Sequence, residues 1–144
     1  MVSAIASEKL KAEVNATMYD FDPGGTDPVD VGWVDMRDYE TILIGVMVSV
    51  GTGGIAAFKI LANPASDGSG TDVEVKAHAD PTVADAVGDT VWLEATTADI
   101  QAVGDNLRYV SGSVDLVTGT DECVVTYIRR GLHRKTGLTA DVIA

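Results

Sequence analysis

Cysteine is nearly absent from this 144-residue chain, with Cys123 standing alone. No intrachain disulfide can form, and one chain cannot build a cysteine-based zinc centre, which points to a reducing compartment. Histidine is almost as scarce: His78 and His133 are 55 positions apart in number only, with no pair at helix spacing to hold a metal. No run of about 18 apolar residues is present to span a bilayer as a helix. MVSAIASEKL lacks the basic start and the apolar stretch of a secretory signal, so the expected place of synthesis is the cytoplasm, and the sequon Asn15-Ala16-Thr17 reads as chance. Positive charge is short as well. Ten basic residues face 22 acidic ones, for a formal net charge of -12. A field of that sign repels phosphate backbones and anionic membranes, which argues against nucleic acid or lipid as the partner of the whole surface.

What is present is a globular composition. Hydrophobic residues make up 46% of the chain and charged residues 22%, enough for one domain with its own core. TILIGVMVSV, Thr41 to Val50, alternates Ile42, Ile44, Val46, Val48 and Val50 against Thr41, Leu43, Gly45, Met47 and Ser49, the pattern of a strand buried mainly on one side. GTGG follows, then IAAFKIL, which reads as the second arm of a hairpin with a glycine-supplied turn. NPASDGSGTD is a loop, and VEVKAHA is a half-exposed strand. TVWLEAT sets Val91 and Leu93 opposite Trp92 and Glu94, and TTADIQAVGD fits one short helical turn capped by Thr96 or Thr97. LRYVSGSVDLV and ECVVTYIRR read as a second hairpin around TGTD, with Cys123, Val125 and Tyr127 on one face and Val124, Thr126 and Ile128 on the other. Towards the N-terminus ASEKLKAEV could start a helix, whereas EVNATMYDF and VDVGWVDM look extended, and strands are preferred there. Long amphipathic helices are missing, so the expected fold is a single all-β domain, an antiparallel β-sandwich or a compact barrel. It is expected over residues 1–130, its first dozen residues being either part of the domain or an extended arm, and residues 131–144 are expected to form a C-terminal arm.

Candidate chemistry is thin. Asp20, Asp22, Asp27 and Asp30 in YDFDPGGTDPVD offer oxygen ligands, but the spacing is not that of an EF-hand, and Asp-Pro and Gly-Gly make an acidic surface turn the simpler reading. DGSGTD is weaker still as a metal loop. GTGG lacks the lysine and the following helix of a phosphate loop. His78 and His133 read as surface residues, and Cys123 as a small buried strand residue. The serines stand in no G-x-S-x-G context. Trp33, Trp92, Tyr19, Tyr39, Tyr109 and Tyr127 show no basic-aromatic pattern of a single-strand nucleic-acid groove and read as core or interface anchors. No catalytic residue, cofactor or metal is therefore expected, and the protein is not read as an enzyme.

The feature that stands out is YIRRGLHRKTG. Arg129, Arg130, Arg134 and Lys135 gather four of the ten basic residues into seven positions, followed by an apolar tip with Leu138, Val142 and Ile143. A solvated terminus, docking onto an acidic protein surface and contact with nucleic acid are the three readings. Docking gains from the order of the groups, because charges can orient an arm before its apolar tip is buried. These seven residues are the candidate partner-binding set.

VGWVDMRDYETILIGVMVSVGTGG, DTVWLEATTADI, LRYVSGSVDLVTGTDECVVTYIRRG and LTADVIA together resemble the capsid decoration, or cement, proteins of tailed bacteriophages, over roughly residues 31–144. The resemblance lies in the strand pattern and the style of C-terminal arm. It implies a β-rich domain, often trimeric, that sits on the assembled shell and bridges subunits of the major capsid protein, with no catalytic residues. The implied partners are the major capsid protein and further copies of the chain, a trimer favoured, without nucleic acid or membrane. The implied location is the virion surface after synthesis in the host cytoplasm. A carbohydrate- or receptor-binding module and a phage tail or head-completion component are the alternatives, and a hydrolase built from loop carboxylates ranks last.

Overall fold

The structure, a computed structural model, describes residues 12–21 and 29–132, with side chains from residue 32 to residue 131. Eight strands carry the fold: β1 (Ala12–Phe21), β2 (Val29–Asp35), β3 (Thr41–Val50), β4 (Ile55–Asn63), β5 (Val73–Ala77), β6 (Thr90–Thr96), β7 (Tyr109–Leu116) and β8 (Glu122–Leu132). A 3-10 turn at Pro81–Val83 and one short helix, α1 (Thr97–Val103), complete the described elements. Residues 12–21 are extended, as the pattern EVNATMYDF suggests. Thr96 is the helix cap: its side chain accepts from the Asp99 N–H while the Asp99 carboxylate accepts from the Thr96 N–H, a reciprocal capping box.

Alternation decides which side of each strand is buried. Ile42, Ile44, Val46 and Val48 of β3 are fully buried, and so are Phe58 and Ile60 of β4, Val110 and Val114 of β7, and Cys123, Val125 and Tyr127 of β8. Val50, expected on the same face as the rest of β3, is exposed, because the pairing with β8 shifts register between Val48 and Val50 at the end of the strand.

The strands form two four-stranded antiparallel sheets facing each other across this core. The first has the order β1-β8-β3-β6 and the second β2-β7-β4-β5. The fold is thus a sandwich and not a closed barrel. Every connection except β4 to β5 passes from one sheet to the other, and the strand order is that of an eight-stranded jelly roll.

This corrects both expected hairpins. GTGG joins β3 of the first sheet to β4 of the second, and TGTD joins β7 of the second to β8 of the first, so neither pair of strands is hydrogen-bonded together. A hairpin and an inter-sheet arch have the same local signature, two alternating strands around a glycine turn. They differ in whether the inner faces lie side by side or look at each other across the core. Here the two arches are latched together. The buried Asp121 carboxylate accepts from the N–H groups of Thr52 (3.2 Å) and Gly53 (3.1 Å), fastening the TGTD turn to the GTGG turn. The neighbouring Thr118 hydroxyl, followed by the N–H groups of Thr52, Gly53 and Gly54, holds the Asp121 carboxyl below the usual aspartate range against the opposing effect of burial.

A second tie runs through the middle of the core. β2 carries a bulge where its register against β7 shifts between Val31 and Val34, and Gly32 sits there at φ 62, a left-handed conformation natural to glycine. The buried Tyr127 on β8 reaches across from the opposite sheet. Its hydroxyl accepts from the Gly112 N–H of β7 (2.8 Å) and donates to the Gly32 carbonyl of β2 (3.2 Å). A side chain of one sheet therefore fills the gap that the bulge opens in the other.

Tyr127→Phe keeps the ring and removes the bridge, leaving the Gly112 N–H buried without that acceptor. Urea unfolding should show a loss of about 1–3 kcal/mol, and an unchanged midpoint would show that the hydroxyl is not holding the bulge. Asp121 generates a pH dependence. Its folded pKa is depressed, so its stabilisation is complete above the ordinary aspartate range and is lost as pH falls through the folded value. Asp121→Asn should cost about 1.5–3 kcal/mol near neutral pH. The gap between the two proteins should close on acidification, read from melting curves between pH 7 and pH 2.

Candidate partner-binding surface

The outer face of the first sheet is built from the alternate positions of β8, β3 and β6. Register places them in rows: Ile128, Leu43 and Glu94; then Thr126, Gly45 and Trp92; then Val124, Met47 and Thr90. Leu43, Val124 and Ile128 are half-buried, while Met47 and Trp92 are 37% and 44% exposed. An outward sheet face in water is ordinarily polar. Here Leu43, Met47, Val124 and Ile128 gather around an exposed Trp92, with Thr126 among them and Glu94 and Thr90 at the β6 edge, more apolar surface than a solvated sheet face ordinarily carries.

Gly45 sets the position of that tryptophan. A β-carbon added there would collide with the six-membered ring of Trp92, so the ring lies across the strand where a side chain is missing. The sequence carries signals for this face: beyond their inner-facing residues, β3 has Leu43 and Met47 and β8 has Val124 and Ile128 at the alternate, outward positions, and Trp92 alternates outward with Glu94.

The basic cluster divides. Successive side chains of a strand point to opposite faces, and Arg129 and Arg130 follow that rule. The Arg129 guanidinium donates to the Asp35 carbonyl (2.7 Å) and lies 4.5 Å from the centre of the Tyr39 ring. It is committed to the chain's own loop between β2 and β3. Arg130 is exposed. Arg134, Lys135, Leu138, Val142 and Ile143 lie outside the described residues, as does the remainder of the expected arm beyond Leu132.

The same corner carries the strongest ion pair. Arg108, which precedes β7, donates through Nε to Asp35 Oδ1 (2.8 Å) and through its second nitrogen to Oδ2, while the Arg37 N–H also reaches Oδ1 (2.9 Å). The Arg108 guanidinium, with help from Arg37, lowers the Asp35 pKa to about 2. This fork joins the ends of β2 and β7.

The other candidates are dispersed. Among the described residues no group of three or more His, Cys, Asp or Glu side chains is arranged to hold a metal. Asp20 and Asp30 fall in β1 and β2, and Asp22 and Asp27 lie outside the described residues. His78 packs its ring against Phe58, and its Nδ1 accepts from the Asp80 N–H (3.2 Å). Cys123 is buried in the core. No described helix is long and apolar enough to cross a membrane.

No protein-family model matches the chain, and no curated protein does. Among solved structures, the SPBc2 prophage-derived protein YomS is similar at 14% identity and a TM-score of 0.40, covering 81% of this chain and 95% of that one. A structure described as Bacillus endospore appendages that form a novel family of disulfide-linked pili is similar at 11% identity and a TM-score of 0.35, covering 83% and 88%. Neither likeness is close enough to carry a function across.

The contact between Gly45 and Trp92 is open to test. Gly45→Val should push the indole off the sheet, seen as a red shift and stronger acrylamide quenching of tryptophan fluorescence. Most of the core should stay intact, because the displaced ring already faces solvent. Emission identical to that of the unaltered protein would show that Trp92 does not rest on Gly45.

Proposed function

We propose that the protein is a non-enzymatic structural component of a phage particle, a capsid decoration protein that binds the outside of the assembled shell and stabilises it by bridging major capsid subunits. The single observation that carries this reading is the apolar outer face of the first sheet, with Trp92 half-exposed on it, beside the end of β8 from which the basic-then-apolar C-terminal segment departs. The resemblance of the strand segments and LTADVIA to decoration proteins supplies the partner. A homo-oligomer, favoured as a trimer, would multiply a modest interface on a repeating lattice into firm attachment. The described basic residues refine the partner-facing set: Arg130, Arg134 and Lys135 remain in it with the tip Leu138, Val142 and Ile143, while Arg129 serves the fold.

A chain ending at Leu132 keeps every described strand and should stay folded yet lose association with capsids assembled without it, measured by cosedimentation. Charge reversal at Arg134 and Lys135 should slow association at low salt and lose its effect at high salt, since exposed charges are screened over about 10 Å at 0.1 M. Leu138→Ser with Ile143→Ser should speed dissociation at any salt. Undiminished capsid binding by the shortened chain would refute the role of the arm.

A further inference from the structure

The outward positions of β8 run Glu122, Val124, Thr126, Ile128 and Arg130, so an acid at one end and a base at the other flank two aliphatic residues, with Thr126 at the centre. Turning the strand end for end about Thr126 exchanges Glu122 with Arg130 and Val124 with Ile128. β3 has the same property about Gly45, where Leu43 exchanges with Met47, and on β6 Glu94 exchanges with Thr90 about Trp92. Thr126, Gly45 and Trp92 form one row of the sheet, so a single line is the centre for all three strands. Arg130 is exposed and Glu122 half-buried, and among the described residues neither side chain has an ion pair or hydrogen bond.

We propose that two copies of this chain pack these faces together about a two-fold axis lying along that row, with their strands antiparallel across the interface. Arg130 of each copy then meets Glu122 of the other, Ile128 meets Val124, Leu43 meets Met47, and the two Trp92 rings meet at the centre. Charge selects this axis. A two-fold running parallel to β8 above it would set Glu122 over Glu122 and Arg130 over Arg130, and like charges face to face repel. Along the row, Glu94 likewise faces Thr90 and not a second Glu94. Shape agrees as well. The Trp92 ring lies across Gly45, where a side chain is missing, so two such rings fit as an offset pair within the ~10 Å that facing sheets keep. The four strands at ~4.8 Å and the nine residues from Glu122 to Arg130 at ~3.3 Å give a footprint of ~570 Å² per copy, ~1,100 Å² for the pair, the low end for a specific interface. The pair is therefore reversible. The net charge of -12 on each copy opposes it mainly at low salt, because charges away from the contact are screened beyond about 10 Å at 0.1 M.

The pair is a form of the free protein and not the trimer favoured on a shell. It covers the apolar face before any other partner is met, and it does not rest on capsid attachment.

The test uses the full chain and no capsid, so its failure is separate from a failure of capsid binding. Sedimentation equilibrium in 0.1 M salt should show the average mass rising from that of one chain to that of two between about 1 and about 200 μM. Arg130→Glu and Glu122→Arg should each weaken association about tenfold, because each turns two attractive contacts into two repulsive ones, and the chain carrying both changes should recover to within about threefold of the unaltered protein. Such recovery arises only between copies, since the two positions lie ~26 Å apart along one strand. Circular dichroism checks that each variant is folded. If a single variant does not fold, the unaltered chain carries the test: acrylamide quenching of its tryptophan fluorescence, with Trp33 as a constant background, should strengthen on dilution through the same range as Trp92 is uncovered. A mass of one chain throughout, or of three, would overturn the pairing, and so would quenching that does not change with dilution. Undiminished association in the single variants, or no recovery in the folded double variant, would overturn it too.

Discussion

The hydroxyl of Tyr127 is the point on which the two sheets depend. β2 is an edge strand of the second sheet, and its bulge at Gly32 interrupts the ladder with β7. Left open, that interruption would bury backbone polar groups without partners, which costs more than an ordinary hydrogen bond is worth. Tyr127 meets the need from the opposite sheet, so the bulge and the packing distance between sheets are mutually dependent. Its ring is fully buried, and the same residue therefore contributes a large apolar volume and hydrogen bonds on both sides of the bulge.

The alternation of strands between sheets explains why such cross-ties recur. With every connection but one crossing the core, the ends of the sandwich consist of arches, and each arch needs something to hold it against its neighbour. Asp121 does this at one end by accepting from the GTGG turn. Asp35 does it at the other, its carboxylate held by Arg108 and its carbonyl by Arg129. These are long-range pairings in sequence, 68 or more positions apart, so the arches gain their stability only when the whole chain is in place.

The proposed partner-facing surface lies where these ties are absent. The outer face of the first sheet carries no loop latched across it among the described contacts, and Leu43, Met47, Val124, Ile128 and Trp92 add apolar surface there to strands whose inner faces are already apolar. Arg129 and Arg130 show how the boundary is drawn within two residues. One side chain turns inward, stacks on Tyr39 and becomes part of the scaffold, and the next turns outward and is exposed.

Much of this molecule was legible in the sequence. Strand positions, the buried faces of β3 and β8 and the Thr96 cap all follow from the period-2 alternation and from local capping chemistry, which need only near neighbours in the chain. Of the candidate site, the basic cluster and the outward position of Trp92 could be read from the sequence, while the apolar outer face that Trp92 shares with Leu43 and Ile128 needed the pairing of β3, β6 and β8. Tertiary structure alone decided that the GTGG and TGTD turns are arches, that Arg129 bonds the Asp35 carbonyl, that Trp92 lies over Gly45 and that Tyr127 bridges to Gly32 and Gly112. Alternation tells which side of a strand is buried but carries no information about which strand lies beside it. Those partners are chosen by contacts between residues distant in sequence, and they exist only once both sheets have formed.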